Sequence, residues 1–215
     1  MFQILLAILY CTAVCHAWGY LGISLIAGTG GQLPRINFSL TCIFGLAILG
    51  ILSQLLSIAI PMGGWMIQGI IVLPIALLIA WKRRELLQEW RSFLSNLRTM
   101  HVVAQLFLAI GLIYVLVVGI WTISNPDTLG YHAPIIKWNQ EYKVIQGIAN
   151  INGRLGLQSS WFILCALFNF SFLGTTAISF INSTLLCWLM IFLADRISII
   201  FRDEAHTRRK AILWY

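Results

Sequence analysis

Charged residues are scarce in this chain: 14 Lys and Arg and 7 Asp and Glu make up only 10% of its 215 residues. A soluble globular domain typically carries about 25% charged residues. The deficit accompanies a hydrophobic fraction of 60% and long uncharged runs. Together these features exclude an ordinary soluble domain and place the chain in the class of membrane proteins.

Several motifs with known chemistry are also missing from the sequence. It contains no internal repeat, P-loop, dinucleotide fingerprint or zinc-type spacing. The five cysteines lie in or beside apolar runs, where a free thiol behaves as a small hydrophobe, so no disulfide framework is expected. Cys11, Cys15 and His16 fall on one helical turn, but a coincidence in an apolar helix is favoured over a metal site.

The apolar runs predict five membrane-spanning helices, because a spanning helix needs about 20 mainly apolar residues. The candidate runs are Ile4–Ala27, Ser39–Ile60, Trp65–Trp81, Val102–Ile123 and Thr176–Ala194. The N-terminus has neither a basic region nor a typical cleavage site. The first run is therefore interpreted as a retained helix rather than a cleaved signal peptide.

The positions of Lys and Arg predict the orientation of the chain, since loops rich in these residues stay cytoplasmic. Arg35, the segment 82–98 and the C-terminal tail are basic, which places them in the cytoplasm and the polar segment 124–158 outside. The region 161–173 is then interpreted as a helix that lies in the outer interface or dips in and back. Two full crossings there would place the tail outside. The net charge of +7 indicates contact with anionic lipid head groups and no nucleic acid.

The expected fold class is all-α: a polytopic transmembrane helix bundle with an outer loop that contains interfacial amphipathic helices. Residues 1–123 are expected to form four transmembrane helices with a basic cytoplasmic segment at 82–98. Residues 124–175 are expected to form an extracytoplasmic loop with interfacial helices. Residues 176–215 are expected to form a transmembrane helix and a basic cytoplasmic tail.

The polar segment begins with Asp127, which follows an Asn-Pro pair near the end of the fourth run. This pattern is typical of a turn or helix-cap aspartate. The sharper interpretation is a general base at the mouth of a membrane cavity. Tyr131 and His132 follow within five residues and can hold a substrate phosphate or orient the acid. The alternative for His132 is an interfacial residue with one edge of its ring in contact with water.

The next stretch has helical periodicity. The residues that share one face are Ile135, Trp138, Tyr142 and Ile145. Lys137 and Glu141 form an i,i+4 pair on the other side. The pattern predicts a short amphipathic helix in the plane of the interface. Glu141 is interpreted as a solvated charge and is kept as a second candidate carboxylate.

The glycine-rich stretch 147–156 carries Asn150, Asn152 and Arg154. Flexible backbone, amides and one guanidinium group suit the recognition of a phosphate or a sugar. The alternative for Arg154 is an interfacial charge that snorkels toward water.

About forty residues of this segment resemble a signature of bacterial polytopic membrane proteins. The matching residues are Asp127 to Pro134, Lys137, Trp138, Glu141, Tyr142, Gly147, Asn150, Gly153 to Gly156 and Ser159 to Trp161. The layout is similar to that of GT-C type glycosyltransferases. The resemblance implies a bundle of many helices in a bacterial inner membrane, an acidic residue at the start of the first large outer loop, and a polyprenyl-phosphate sugar as donor.

Carried over residue by residue, the resemblance assigns Asp127 as the base on an acceptor hydroxyl that attacks the anomeric carbon with inversion. It assigns substrate or phosphate contacts to Tyr131, His132 and Arg154. Further candidate substrate-binding residues are Lys137, Glu141 and Asn150. Thr128 replaces the second acid found in some members of the superfamily, so a divalent metal has no supporting pattern and no cofactor is assigned. The expected partners are the lipid bilayer, the lipid-linked sugar and a glycan or lipid acceptor.

Two other functions remain open. A carrier or flippase normally places polar groups near the bilayer midplane, and the runs contain few: Gln54, Gln68, Gln105 and His16. A non-catalytic membrane subunit in envelope polysaccharide assembly would use the outer loop to bind a partner. Five predicted spans are fewer than the resemblance implies, which favours the N-terminal part of a larger bundle.

Overall fold

A computed structural model shows that the chain is helical, and no strand occurs in the part of it that is described. The described residues are 2–28, 36–120, 126–151, 153–156, 159–170, 172–173 and 180–213, without the side chains of 119–120 and 203–213. Arg35, Asn152 and the basic side chains of the C-terminal tail beyond Arg202 lie outside the described residues, so their predicted roles are not addressed below.

Seven α-helices and three short helical turns make up this part of the chain. The α-helices are α1 Phe2–Ala27, α2 Phe38–Ser57, α3 Trp65–Thr99, α4 Val102–Ile120, α5 Ala133–Glu141, α6 Ser160–Leu167 and α7 Phe180–Leu213. A π-helical turn, Thr128–His132, precedes α5, and 3₁₀ turns lie at Ile148–Asn150 and Gly153–Gly156. The predicted all-α fold class is confirmed.

Among the described residues, four helices are long and apolar enough to cross a membrane: α1, α2, α3 and the Phe180–Arg202 part of α7. The fourth predicted span, Val102–Ile123, forms α4, whose apolar stretch Val102–Val118 belongs to the shorter apolar helices. Residues 121–123 of that run lie outside the described residues, so this span stays a prediction. The four long helices support a bilayer environment.

Helices α1 and α2 form an antiparallel pair with direct backbone contact. A Cβ atom added to Gly19 would lie 1.9 Å from the Thr41 carbonyl oxygen, and one added to Gly45 would lie 1.7 Å from the Cys15 carbonyl oxygen. No side chain fits at either position, so the two glycines allow the close approach. Small residues at helix crossings are typical of membrane bundles, where packing rather than water exclusion holds helices together.

Asn37 connects the start of α2 to α7. Its Oδ1 atom accepts a hydrogen bond from the Ser39 N–H at 2.9 Å, which caps α2, and its Nδ2 atom donates to Asp195 Oδ2 at 3.0 Å. Nearby, the backbone N–H of His101 donates to Ser198 Oγ at 2.9 Å, so the start of α4 also binds α7. We call this region of the bundle the Asn37 end.

Helix α3 bends at Lys82, which has non-helical angles of φ −114° and ψ 21°. The bend separates the predicted apolar run Trp65–Trp81 from the basic segment 82–98, which continues as helix. Beyond it, the Phe93 ring stacks on Phe38 at 4.0 Å between centroids, and His16 stacks on the same Phe38 at 4.4 Å. The second half of α3 therefore packs at the Asn37 end, against α1 and the first residue of α2.

Helix α6 forms the first part of the region 161–173 and bears on its two alternatives. It has eight residues and is about 12 Å long, so it is too short to cross a bilayer. Its buried residues form an unbroken run, Ile163, Leu164, Cys165, Ala166, Leu167 and the following Phe168. A helix lying in the interface would expose one face, whereas α6 packs against α2 and α5. This burial agrees with the alternative of a segment that enters the bundle.

Candidate functional site

Asp127 lies at the beginning of a helical segment that runs into α5. Its backbone has helical angles of φ −65° and ψ −35°, and the π-helical turn Thr128–His132 follows it directly. Pro134 then occupies the first turn of α5, where a missing N–H costs nothing. Single π-helical turns occur frequently at functional sites, because they shift the side chains around them.

Helix α5 ends at Glu141, whereas the predicted amphipathic face continues to Ile145. The buried residues of the helix are Ile135, Ile136 and Asn139, whereas Tyr142 and Ile145 lie beyond it and are exposed. The prediction that the helical face continues to Ile145 is therefore wrong.

The early end of α5 has a cause elsewhere in the chain. The N–H groups of Met62 and Gly63, in the turn between α2 and α3, donate to the carbonyls of Asn139 and Gln140 at 2.8 and 2.9 Å. These bonds satisfy carbonyl groups that the last turn of a helix leaves unpaired. The N–H of Val144 then donates to the Ser57 carbonyl at 2.8 Å. We call this region of the bundle the α5 end.

A small hydrophobic core lies beneath this segment, separate from the main core. Ile135, Ile148 and Leu155 are buried together, and Tyr131 and Trp138 pack against them. Because Ile148 and Leu155 belong to the two 3₁₀ turns, their burial holds the glycine-rich stretch against α5. The core thereby fixes the position of the residue next to Leu155, which is Arg154.

Four of the predicted site residues meet above this core. Arg154 Nη1 lies 3.8 Å from Asp127 Oδ1, and the Arg154 guanidinium carbon lies 5.8 Å from the centre of the Tyr131 ring. The centroids of the Tyr131 and His132 rings are 4.2 Å apart, and those of the His132 and Phe162 rings are 5.0 Å apart. We call Asp127, Tyr131, His132 and Arg154 the Asp127 cluster.

The Asp127 cluster is open to its surroundings. The side chains of Asp127 and Arg154 are 55% and 65% exposed, and an exposed ion pair of this kind stabilises a fold only slightly. The carboxylate can accept a proton or a hydrogen bond, and the guanidinium group can bind a phosphate through two parallel hydrogen bonds.

The other three predicted site residues lie on α5 and in the first 3₁₀ turn. Lys137 and Glu141 are exposed on α5, where Lys137 Nζ lies 3.8 Å from Glu141 Oε1, so the predicted i,i+4 pair is confirmed. Asn150 ends the first 3₁₀ turn, and its N–H donates to the Gly147 carbonyl at 2.9 Å. Gly147 has a φ of +79°, a left-handed conformation that favours glycine.

The structure also reveals polar residues that sequence reasoning missed. They border a largely apolar cavity of about 730 Å³ between α1, α3 and the C-terminal ends of α5 and α6. Two hydrogen bonds of 2.8 Å join Gln140 to Asn169. Gln140 Nε2 donates to the backbone carbonyl of Asn169, and Asn169 Nδ2 donates to Gln140 Oε1. Tyr10 donates to Gln68 Oε1 at 2.6 Å, and Gln68 Nε2 donates to the Leu167 carbonyl at 2.8 Å.

One signal for this cavity was present in the sequence. Gln68 is an amide in an otherwise apolar run, and such residues face the interior of a bundle more often than lipid. Gln140 and Asn169 carry no comparable signal, because an amide in a polar loop is ordinary.

The described residues contain neither a cluster of metal ligands nor an exposed thiol. No group of three or more His, Cys, Asp or Glu side chains among them is placed to hold a metal ion. Cys11 Sγ and Cys15 Sγ lie 3.9 Å apart, and all five cysteines are free and buried. Burial raises the pKa of the Cys165 thiol in α6 to about 12, so this thiol is protonated and unreactive at neutral pH.

Comparisons with known proteins identify a family. No curated protein and no solved structure matches the chain significantly. A family model described as "Domain of unknown function (DUF8201)" matches residues 1–214. Because the match covers nearly the whole chain, the protein belongs to the DUF8201 family.

Proposed function

We propose that the protein is an integral membrane glycosyltransferase that transfers a sugar from a lipid-phosphate donor to an envelope glycan or glycolipid on the outer face of the membrane. One observation carries the proposal. Asp127 and Arg154 are far apart in sequence, yet their charged atoms lie 3.8 Å apart beside Tyr131 and His132. A carboxylate next to an anion-binding guanidinium group is the combination that this reaction requires.

In the proposed reaction the Asp127 carboxylate accepts the proton of the acceptor hydroxyl. The hydroxyl oxygen attacks the anomeric carbon, the bond from that carbon to the phosphate oxygen breaks, and the electron pair leaves with the phosphate. Arg154 moves from Asp127 to the phosphate and stabilises the charge that develops there. Tyr131 holds the guanidinium plane, and His132 donates a further hydrogen bond to the substrate.

The location of the cavity also supports the proposal. Asp127 precedes α5, and Gln140 near its C-terminal end borders the cavity of about 730 Å³. Since Gln140 follows Asp127 by 13 positions, across the π-helical turn and most of α5, the two features are separated by about 20 Å along the helical segment. A lipid-linked sugar needs this combination: a polar site for its head and an apolar space for its chain.

A second candidate is a non-catalytic membrane subunit that binds a partner through the same segment. The exposure of Asp127 and Arg154 favours it, because more than half of each side chain is accessible. In that case the Asp127 cluster would be a recognition surface, and neutralising Asp127 would weaken a complex rather than stop a reaction.

Complementation tests whether the proposed function depends on Asp127. A deletion strain is complemented with wild type, Asp127→Asn or Glu89→Gln at matched membrane abundance, and envelope glycolipids and glycans are compared by mass spectrometry. Glu89 is a carboxylate at the Asn37 end of the bundle and serves as the matched control. Wild type and Glu89→Gln should restore a missing sugar, whereas Asp127→Asn should lower transfer about 100-fold or more. Equal restoration by all three would rule out a catalytic Asp127 and would also count against a recognition role for its charge.

A further inference from the structure

Helix α3 as a whole is longer than the membrane can accommodate. The helix has 35 residues and is about 52 Å long, whereas the hydrocarbon core of a bilayer is about 30 Å thick. Only Met100 and His101 separate it from α4, which has 19 mainly apolar residues and is about 28 Å long. If residues 83–99 pointed straight away from the membrane, the apolar start of α4 would lie far out in water. These residues must therefore run along the membrane surface.

The bend at Lys82 and the packing beyond it agree with this placement. The bend interrupts the helix immediately after Trp81, which is 76% exposed and suits the interface. Beyond the bend, the Phe93 ring stacks on Phe38, the first residue of α2. The second half of α3 is thus held at the level where another apolar helix begins.

This half of α3 has three distinct faces. The face toward the bundle carries Leu86, Trp90, Phe93 and Leu97. A polar face carries Glu85, Glu89, Ser92 and Asn96, which border a cavity of about 740 Å³ at the Asn37 end. The third face carries Arg83, Arg84, Leu87, Arg91, Leu94 and Arg98, all of them exposed.

All charged residues of the third face are arginines, and two leucines lie among them. At 3.6 residues per turn its six residues fall within an arc of about 100°, which excludes both glutamates. Leu87 and Leu94 are 53% and 49% exposed, so neither is covered by the rest of the chain. In the part of the protein that is described, no ion pair joins the four arginines to an acidic side chain.

We propose that residues 83–98 form a membrane-surface helix whose arginine–leucine face binds anionic lipid head groups. Leu87 and Leu94 insert at the boundary of the acyl chains, and the guanidinium groups bind the lipid phosphates. Each basic residue near an anionic surface strengthens such attachment about fivefold. The glutamates face away, toward the bundle, so like charges do not oppose the contact. This inference is independent of the glycosyltransferase proposal.

Cysteine accessibility tests the contact in the full chain. Leu94→Cys and, on the polar face, Asn96→Cys are each reconstituted in nanodiscs of phosphatidylcholine, with or without phosphatidylglycerol. Labelling by a water-soluble maleimide is then timed, with wild type as the blank because its five cysteines are buried. Phosphatidylglycerol should slow labelling of Leu94→Cys about tenfold and leave Asn96→Cys unchanged. Concentrated salt should reverse the effect.

A charge variant keeps the inference falsifiable. Arg84→Gln together with Arg91→Gln, placed in Leu94→Cys, should abolish the lipid dependence, whereas the corresponding Lys variant should retain it. An equal labelling rate of Leu94→Cys in both lipids would overturn the proposal. Protection in native membranes but not in phosphatidylglycerol nanodiscs would also overturn it, because a protein partner would then cover this face.

Discussion

The two ends of the bundle hold their charged residues in opposite ways. At the α5 end, Asp127 and Arg154 come from distant parts of the chain and meet only because a small core lies beneath them. At the Asn37 end, the charges of α3 are sorted by the geometry of one helix, with four arginines on one face and Glu85 and Glu89 on another. The first arrangement depends on tertiary packing, whereas the second depends only on spacing. Local disruption should therefore affect them differently.

The largest effect is expected at the contact between α1 and α2, on which both ends of the bundle depend. Gly45→Leu places a side chain where a Cβ atom would already lie 1.7 Å from the Cys15 carbonyl oxygen. We expect α1 and α2 to separate and the protein to lose about 3 kcal/mol or more of stability, the upper range for overpacking. Thermal melting in detergent measures the loss. Gly69→Ala is the control, because no heavy atom lies within 4 Å of its added Cβ.

Removing the support of the α5 end alone sharpens the comparison. Leu155 is 8% exposed, and Leu155→Ala should destabilise the glycine-rich stretch by about 2–4 kcal/mol. Backbone amides in 148–156 should then exchange hydrogen faster, while those in 83–98 keep their wild-type rates. Equal acceleration in both segments would show that the two ends are not independent.

Arg154 tests the chemistry of the α5 end without removing its charge. Lysine cannot form two parallel hydrogen bonds to a phosphate, so Arg154→Lys should lower transfer from the lipid-linked donor about tenfold. Its melting temperature should stay close to that of wild type, because the side chain is 65% exposed. Arg196→Gln, at the Asn37 end, should leave transfer unchanged. A normal rate for Arg154→Lys would mean that Arg154 supplies only charge.

The smallest effect is expected on the outer surface of α5. Lys137→Ala removes the exposed partner of Glu141 and should cost only about 0.3–0.5 kcal/mol, as for other i,i+4 pairs. Chemical denaturation at low and high salt measures the difference, which should disappear at high salt. A loss above about 1 kcal/mol would indicate that Lys137 has a further structural contact.

Sequence patterns predicted the long helices well, because an apolar run reports directly on burial or lipid contact. The predicted runs beginning at Trp65 and Val102 start where α3 and α4 do. Prediction failed where distant segments decide the outcome. Helix α5 stops at Glu141 because Met62 and Gly63 donate to its last turn, and no local pattern announces a partner from another loop.

The candidate site likewise has one part that local sequence patterns predicted and another that depends on distant segments. Residue types in the polar segment indicated Asp127, Tyr131, His132 and Arg154, and the structure brings these four together. Sequence could not separate them from Lys137, because exposed charges in a loop look alike until the fold orders them. The cavity beside Gln140 was missed because its lining comes from four helices and two connecting segments.

The hydrogen bonds between the α2–α3 turn and α5 have a consequence for biosynthesis. Met62 and Gly63 leave the ribosome long before Asn139 and Gln140, whose carbonyls they eventually bind. Until then their N–H groups need water, so the newly made turn must wait at a wet surface rather than in lipid. The α2–α3 hairpin thus reaches its final form only after α5 has been translated. A ribosome stalled before residue 139 should leave that turn open to proteases, and one stalled well beyond residue 170 should not.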